Sequence, residues 1–239
     1  MTPPLFLLHG FTGSPSSWDA VLTHLPTRSA RTPALLGHGE AAPAVRTFDD
    51  EVERLSDLLG NEPVHLAGYS LGARLALGLL VRYPTRIACA TFVGVHPGLV
   101  SDAERSERRR ADARWIELLE SCGIDAFVNA WAAQPLFATQ ASLPHAVRSR
   151  RERERTAHDP KGLARSLRVT GLAEMPNFRP LLGGLDVPVT LLSGELDTKF
   201  TALADELSGL FPNARSTVVP SAGHDLLLER PDLVARQLR

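Results

Sequence analysis

The sequence predicts an α/β fold in which a mostly parallel sheet is flanked by helices. Short apolar runs alternate with amphipathic helical stretches, which is the pattern of parallel strands covered by crossover helices. The chain has 239 residues, of which 44% are hydrophobic. That length and composition suffice for one α/β domain with a large core and an insertion.

Six of the apolar runs are predicted strands, at residues 5–8, 30–35, 64–67, 87–93, 187–193 and 216–219. Five amphipathic stretches are predicted helices, at residues 16–25, 48–59, 71–83, 201–211 and 230–237. Pro84 ends the third of these helices, because proline has no amide proton to continue the hydrogen-bond ladder. Pro63 and Pro188 stand at strand starts, where the missing proton is tolerated.

Between residues 98 and 185 the pattern changes. Strand-like runs are replaced by arginine-rich helical stretches that contain the aromatic residues Trp115, Phe127 and Trp131. This change predicts a helical cap inserted after the strand that ends near Val93. The expected core comprises residues 1–98 and 186–239, and the expected cap comprises residues 99–185. The cap would cover the carboxyl edge of the sheet, where α/β enzymes bind their ligands.

The most informative motif is Gly-Tyr-Ser-Leu-Gly at residues 68–72, between a predicted strand and a predicted helix. Strand, Gly-x-Ser-x-Gly and helix together indicate a nucleophile elbow, a turn so tight that small residues must flank the serine. Such a turn exposes the serine hydroxyl above the sheet edge. Ser70 is therefore the candidate reactive residue.

A serine hydroxyl needs an adjacent imidazole to take its proton, and two later loops supply the partners. His224 follows the last predicted strand, and Asp197 follows the strand before it. The carboxyl ends of parallel strands lie at one edge, so these residues are expected to converge there with the serine. Their chain order is that of α/β-hydrolases. Glu195 and Asp225 are the alternative acids, although Asp225 adjoins the histidine, which makes its geometry awkward.

The segment His-Gly-Phe-Thr-Gly at residues 9–13 follows the first predicted strand. Small residues there allow backbone amides to approach a substrate oxygen. The amides of Phe11 and Leu71 are predicted to form an oxyanion hole. The alternative is a glycine-rich turn that only connects a strand to a helix. His9 and His38 are expected to be structural hydrogen-bonding residues.

Arginines are a further feature, since all of the 26 basic residues except Lys161 and Lys199 are arginines. Most arginines in residues 105–114 and 148–155 are spaced by three and four among glutamates, which predicts ion pairs on solvated helix faces. Arg74 differs, because it lies on the first turns of the helix that follows the elbow. A guanidinium beside a reactive serine predicts a substrate that carries carboxylates.

Composition and charge exclude several other classes of function. The formal net charge of −1 provides no field that would attract nucleic acid or an anionic membrane. Nucleotide-binding glycine loops and metal-ligand clusters are absent from the sequence, so no cofactor and no metal are implied. Cys89 and Cys122 lack paired spacing and are expected to be reduced thiols. The apolar run at residues 5–8 is too short for a signal peptide or a membrane span, so a cytoplasmic protein is expected.

Several segments resemble those of one enzyme family along nearly the whole chain. They are Leu-His-Gly-Phe-Thr-Gly at 8–13, Gly-Tyr-Ser-Leu-Gly-Ala-Arg at 68–74, His-Pro-Gly-Leu at 96–99, Gln-Pro-Leu-Phe at 134–137, Gly-Glu-Leu-Asp-Thr-Lys-Phe at 194–200 and Ala-Gly-His at 222–224. On these segments the chain resembles the 2-succinyl-6-hydroxy-2,4-cyclohexadiene-1-carboxylate synthases, lyases of menaquinone biosynthesis with the α/β-hydrolase fold. It departs from them by opening directly on the first strand, so that either the usual first hairpin is missing or the given start is late, and by having Ala34 where relatives commonly have an aspartate.

The resemblance implies that the enzyme eliminates pyruvate from 2-succinyl-5-enolpyruvyl-6-hydroxy-3-cyclohexene-1-carboxylate, without a cofactor, to give 2-succinyl-6-hydroxy-2,4-cyclohexadiene-1-carboxylate. It also implies that Ser70, activated by His224 and Asp197, acts as the base that takes a ring proton. The residues implied to hold this polycarboxylate are Tyr69, Arg74, Arg108, Trp131 and Arg155. Of these, Arg155 is selected from the run 148–155 by its spacing to Gly162 and Leu163.

Two other functions remain as alternatives. The first is a serine hydrolase, either a carboxylesterase or a carbon–carbon bond hydrolase, because the same triad serves both reactions. Arg74, Arg108 and Trp131 favour the lyase, since a hydrolase of neutral esters does not need guanidinium groups there. The second is a binding protein without catalytic activity, which the presence of all three triad residues disfavours. For each of these three functions, a monomer or a weak homo-oligomer is expected.

Overall fold

The computed structural model describes residues 2–39 and 42–239, which form a central sheet with helices on both faces. The strands are β1 (Leu5–Leu8), β2 (Ala30–Arg31), β3 (Val64–Tyr69), β4 (Ile87–Val93), β5 (Val189–Gly194) and β6 (Ala214–Val219). They pair in the order β2-β1-β3-β4-β5-β6, and every pair is parallel. The chain changes direction across the sheet between β1 and β3, and α/β proteins bind ligands at such a switch point.

Helices connect the strands and cover both faces of the sheet. They are α1 (Asp19–Leu22), α2 (Phe48–Asp57), α3 (Leu71–Arg82), α4 (Asp102–Ala132), α5 (His145–Thr156), α6 (Pro160–Thr170), α7 (Thr198–Leu210), α8 (Leu226–Glu229) and α9 (Pro231–Arg236). Short 3-10 helices cover Pro15–Trp18, Pro84–Arg86, Pro135–Ser142 and Arg179–Gly184. None of the helices within residues 2–39 and 42–239 is long and apolar enough to cross a membrane.

The core is divided by the sheet into two layers. Side chains of β1 alternate between them, as the two-residue period of a strand requires. Phe6 and Leu8 pack with α2, α3 and α7, whereas Leu5 and Leu7 pack with α1, α8 and α9. Helices therefore cover both faces of the sheet at β1, which leaves the carboxyl edge open for a site.

The observed elements differ from the sequence predictions in three places. The predicted strand 30–35 ends at Arg31, because Pro33 has no amide proton for the ladder. The predicted helix 16–25 is a 3-10 turn followed by the short α1. The predicted helix 230–237 corresponds to α9 alone, which Pro231 begins, and the short α8 just before it is not predicted by the sequence pattern.

The segment between β4 and β5 is helical, as its composition predicts. Its helices α4 and α6, with the 3-10 helix Pro135–Ser142, form a small apolar cluster, which includes Leu119, Phe127, Trp131 and Leu163. Gly123, at a φ of 79°, interrupts α4. The division of the chain into a core and a cap at residues 98 and 186 stays a prediction.

Alanine substitutions at two helical glycines test how closely α3 must approach β1. A Cβ on Gly72 would lie 2.2 Å from the Leu8 carbonyl oxygen, whereas a Cβ on Gly209 in α7 would meet nothing within 4 Å. Gly72→Ala is expected to lower the free energy of unfolding by about 3 kcal/mol, because backbone must move. Gly209→Ala, the matched control, is expected to raise it by about 0.5–1 kcal/mol. Chemical denaturation measures both, and equal stabilities would contradict this account of the elbow.

Candidate active site

Ser70 lies in the turn between β3 and α3 with a backbone conformation that side chains rarely adopt, at φ 51° and ψ −108°. Backbone hydrogen bonds hold the turn, since the Ser70 amide donates to the Val93 carbonyl at 2.9 Å and the Arg74 amide donates to the Ser70 carbonyl at 3.1 Å. A Cβ on Gly68 would lie 2.4 Å from the Gly72 carbonyl oxygen. Packing around the turn therefore requires the glycines of the motif.

His224 joins Ser70 to an acid. The Ser70 hydroxyl lies 3.1 Å from Nε2 of His224, and Nδ1 of the same ring lies 2.7 Å from Oδ2 of Asp197. The other two candidate acids are engaged elsewhere: Glu195 accepts from the Ser221 amide, and Asp225 pairs with an arginine of α5. A buried carboxylate in this position fixes the imidazole tautomer and stabilises its charged form. The structure thus brings the three predicted triad residues together.

The loop after β1 carries Phe11, which lines one cavity together with Ser70 and with Leu71, the first residue of α3. Two buried histidines hold this loop. His9 donates to the Gly10 carbonyl at 2.8 Å and accepts from the Leu35 amide, while His38 accepts from the Thr12 amide at 3.1 Å. Burial lowers the pKa of His9 to about 3 and that of His38 well below its ordinary value. Both rings are therefore neutral hydrogen-bonding groups, as predicted.

A cavity of about 420 Å³ opens above Ser70. Its walls include both predicted oxyanion residues, Phe11 and Leu71, together with His224. Four of the five predicted substrate-binding residues also line it, namely Tyr69, Arg74, Arg108 and Trp131. Residues of the core and of the segment between β4 and β5 therefore form one site around the serine.

Positive charge dominates the cavity wall. Among the described residues, Arg74, Arg108, Arg151 and Lys199 line it, against the single carboxylate of Asp112, which pairs with Arg108 at 2.9 Å. Arg74 is partly buried, and its Nη1 donates to the Thr170 carbonyl at 2.9 Å. Loss of contact with water, and secondly the charge of Arg108, lower the pKa of Arg74 to about 9, although the charge of Asp112 opposes them. The wall is therefore suited to a ligand that brings negative charge.

Arg155, the fifth predicted binding residue, does not line this cavity. Its guanidinium carbon lies 5.0 Å from the centre of the Phe137 ring, on the wall of a neighbouring cavity. Arg151, four residues earlier, reaches the cavity of Ser70 instead. Sequence reasoning missed Arg151, and also Lys199, although Lys199 belongs to a segment that carries the family resemblance. The sequence alone does not indicate which arginine of a helical run faces the serine.

Comparison with known proteins shows the family to which the chain belongs. A model of the α/β hydrolase family matches residues 5–237. The 2-succinyl-6-hydroxy-2,4-cyclohexadiene-1-carboxylate synthase of Enterobacter sp. (strain 638) is 34% identical, over 98% of this chain and 89% of its own. A Bacillus subtilis relative is 36% identical, over 96% of this chain and 86% of its own. The chain belongs to this synthase family, within the α/β hydrolases. It is an enzyme.

Solved structures agree with this placement. The structure of MenH from S. aureus superposes with a TM-score of 0.94 at 28% identity, over all of this chain and 92% of that one. An esterase from Thermogutta terrifontis has the same fold, with a TM-score of 0.80 at 23% identity, over all of this chain and 89% of its own. The fold is therefore shared with hydrolases, and the fold alone does not fix the reaction.

The conformation of Ser70 yields a test that is independent of activity. A positive φ with ψ near −108° suits glycine and strains any residue with a Cβ. Ser70→Gly is therefore expected to have a free energy of unfolding about 1 kcal/mol higher than that of Ser70→Ala, because both lack the hydroxyl and only alanine keeps the strain. Denaturant titration of the two variants measures the difference. An alanine variant as stable as the glycine variant would show that the turn is unstrained.

Proposed function

We propose that this enzyme eliminates pyruvate from 2-succinyl-5-enolpyruvyl-6-hydroxy-3-cyclohexene-1-carboxylate to give 2-succinyl-6-hydroxy-2,4-cyclohexadiene-1-carboxylate. The family supports the assignment, and the cavity supports it independently. The substrate carries carboxylates on the ring, on the succinyl arm and on the enolpyruvyl group. Among the described residues, two of the four cationic side chains around Ser70, Arg74 and Lys199, are in no ion pair and provide partners for them, whereas Arg108 and Arg151 already pair with protein carboxylates.

The observation that carries the proposal is the position of Arg74. Its side chain is partly buried on the wall that also contains Ser70, and no ion pair among the described residues includes it. A cation that is held partly out of water without an ion-pair partner binds a carboxylate strongly. A neutral ester would leave it unpaired. The site therefore favours an anionic substrate, and with it the lyase.

The proposed reaction begins with proton transfer to the Ser70 oxygen, which passes its own proton to His224. The proton leaves ring carbon 2, beside the succinyl carbonyl, whose oxygen gains the negative charge. The Phe11 and Leu71 amides would stabilise that oxyanion. Double bonds then form between carbons 2 and 3 and between carbons 4 and 5, as the bond from carbon 5 to the enolpyruvyl oxygen breaks. The leaving enolate takes a proton and becomes pyruvate, so no cofactor is needed.

The same triad supports hydrolysis, which remains the second candidate because an esterase shares the fold. Parallel assays of the purified enzyme with the enolpyruvyl precursor and with p-nitrophenyl acetate distinguish the two functions. The lyase assignment predicts rapid release of pyruvate and slow release of p-nitrophenol. Rapid ester cleavage without pyruvate would establish the hydrolase instead.

The choice among the three acids is tested by two amide substitutions. Asp197→Asn is expected to lower kcat for pyruvate release by about 1000-fold or more, because the amide favours the wrong tautomer of His224. Glu195→Gln is the matched control and is expected to keep most of its activity, since glutamine retains an oxygen for the Ser221 amide. Steady-state kinetics measure kcat of both variants. Equal losses of kcat would show that Asp197 is not the acid that orients His224.

The role of Arg74 is tested against another arginine of α3. Arg74→Met is expected to lower kcat/KM for pyruvate release by about 100-fold, the effect of losing charged hydrogen bonds to a carboxylate, and to spare p-nitrophenyl acetate cleavage. Arg82→Met removes a half-exposed arginine that pairs with Asp49 at the far end of the helix, so it is expected to change neither reaction. If Arg74→Met lowered both activities equally, Arg74 would be structural.

A further inference from the structure

The His224 loop (residues 220–225, between β6 and α8) is held by a carboxylate that is not part of the triad. The amide of Gly223, the residue before His224, donates to Oε2 of Glu229 at 2.7 Å. Glu229 is the last residue of α8, and its own amide donates to the Asp225 carbonyl at 2.9 Å. Backbone and side chain therefore both join this glutamate to the loop, and its carboxylate fixes the peptide directly before the imidazole.

The second oxygen of the same carboxylate contacts a different part of the chain. The hydroxyl of Thr139 donates to Oε1 of Glu229 at 2.9 Å. Thr139 lies in the 3-10 helix Pro135–Ser142, within the helical segment between β4 and β5. No ion pair among the residues that the structure describes includes Glu229. Each carboxylate oxygen thus accepts one hydrogen bond, the first from the His224 loop and the second from the helical segment.

The helical segment and the His224 loop approach each other most closely at Gly223. A Cβ on Gly223 would lie 2.3 Å from Oγ1 of Thr139 and 3.1 Å from Oε1 of Glu229. On the opposite side, a Cβ on Gly194, the last residue of β5, would lie 2.1 Å from the Gly223 carbonyl oxygen. The Gly223 peptide is therefore enclosed between β5 and Thr139, and close packing transmits a shift of either neighbour to it.

The other contacts of His224 act on its ring. Asp197 holds Nδ1 at 2.7 Å, and the centre of the Phe200 ring lies 4.5 Å from the centre of the imidazole. Nε2 must at the same time stay within reach of the Ser70 hydroxyl, which lies 3.1 Å away. An error of about 1 Å in the place of a reacting group lowers a rate by about 100-fold. Contacts to the ring alone do not fix the backbone that carries it, and Glu229 supplies that restraint.

We propose that Glu229 is a positioning residue for His224 and couples the helical segment between β4 and β5 to the triad. Its bond to the Gly223 amide keeps the imidazole directed at Ser70, and its bond to Thr139 links the position of the helical segment to that of the loop. The proposal rests on the triad of the proposed function, which the lyase and the hydrolase share. It therefore holds for either reaction.

Two substitutions of Glu229 separate its hydrogen bonds from its shape. Glu229→Met keeps the length of the side chain without a carboxylate and is expected to lower kcat by about 30-fold, with KM within about threefold. Glu229→Gln keeps an oxygen for the Gly223 amide and a second polar atom for the Thr139 hydroxyl, so kcat is expected to stay within about threefold. Wild-type kcat in Glu229→Met, or equal losses in both variants, would overturn the proposal.

The kinetics follow pyruvate release, or cleavage of p-nitrophenyl acetate if the wild type releases no pyruvate. The wild type thereby tests the lyase assignment, and the ratio of variant to wild type tests Glu229. A crystal structure of Glu229→Met provides a test that needs no activity. It is expected to show Nε2 of His224 more than about 3.5 Å from the Ser70 hydroxyl, outside hydrogen-bond range. An unchanged distance would overturn the proposal, whatever the kinetics show.

The coupling to the helical segment is tested by a double-mutant cycle. Thr139→Val removes the hydroxyl at nearly constant shape and is expected to lower kcat by about fivefold in the wild type, but by less than about twofold in Glu229→Met. Thr156→Val is the matched control, because the Thr156 hydroxyl donates to the carbonyls of Glu152 and Arg153 within α5. It is expected to leave kcat unchanged. Equal effects of Thr139→Val in the two backgrounds would contradict coupling through Glu229.

A purely structural role for Glu229 is separated by measuring kcat at a temperature at which each variant is fully folded, as its Tm determines. Loss of stability alone leaves kcat unchanged there. Glu229→Asp is the second variant if the methionine variant does not fold. It keeps the charge, but its shorter side chain reaches only one of the two partners, so kcat is expected to fall by about tenfold. Wild-type kcat in Glu229→Asp would overturn the proposal.

Discussion

The tight turn at Ser70 is the constraint on which the rest of the site depends. With φ at 51° the serine points its hydroxyl out of the sheet edge, and α3 must start so close to β1 that only glycine fits at position 72. Leu71, the next residue, begins α3. Two loops after β5 and β6 then bring Asp197 and His224 to the serine hydroxyl. Strain at one residue is therefore maintained by packing across the whole sheet.

Cationic side chains outnumber carboxylates around the serine. Among the described residues, Arg74, Arg108, Arg151 and Lys199 line the cavity of Ser70 against Asp112. A cation held partly out of water is costly in the free protein and favourable once an anion binds. Under the proposed function, the energy of substrate binding is therefore concentrated on carboxylates, which explains how one triad geometry can serve an elimination in a fold that is shared with esterases.

Most of the fold and the triad could be predicted from sequence because they depend on local patterns. The strand–elbow–helix motif predicts the position of Ser70, and the parallel sheet predicts that Asp197 and His224 come to the same edge. The boundaries of β2 and α1 were less predictable, because they depend on Pro33 and on packing at the sheet edge. The cap arginines depend on the rotation of α5, which spacing alone does not determine. Arg151 therefore faces the serine, although the sequence favoured Arg155.

In the proposed mechanism Ser70 takes a proton from the substrate and does not attack it. Intact-protein mass spectrometry during turnover distinguishes these two roles, with the enzyme mixed with the enolpyruvyl precursor and quenched within the first turnover. If Ser70 acts as a base, pyruvate appears while the protein keeps its unmodified mass. A covalent adduct that maps to Ser70 and decays at the rate of turnover would contradict it.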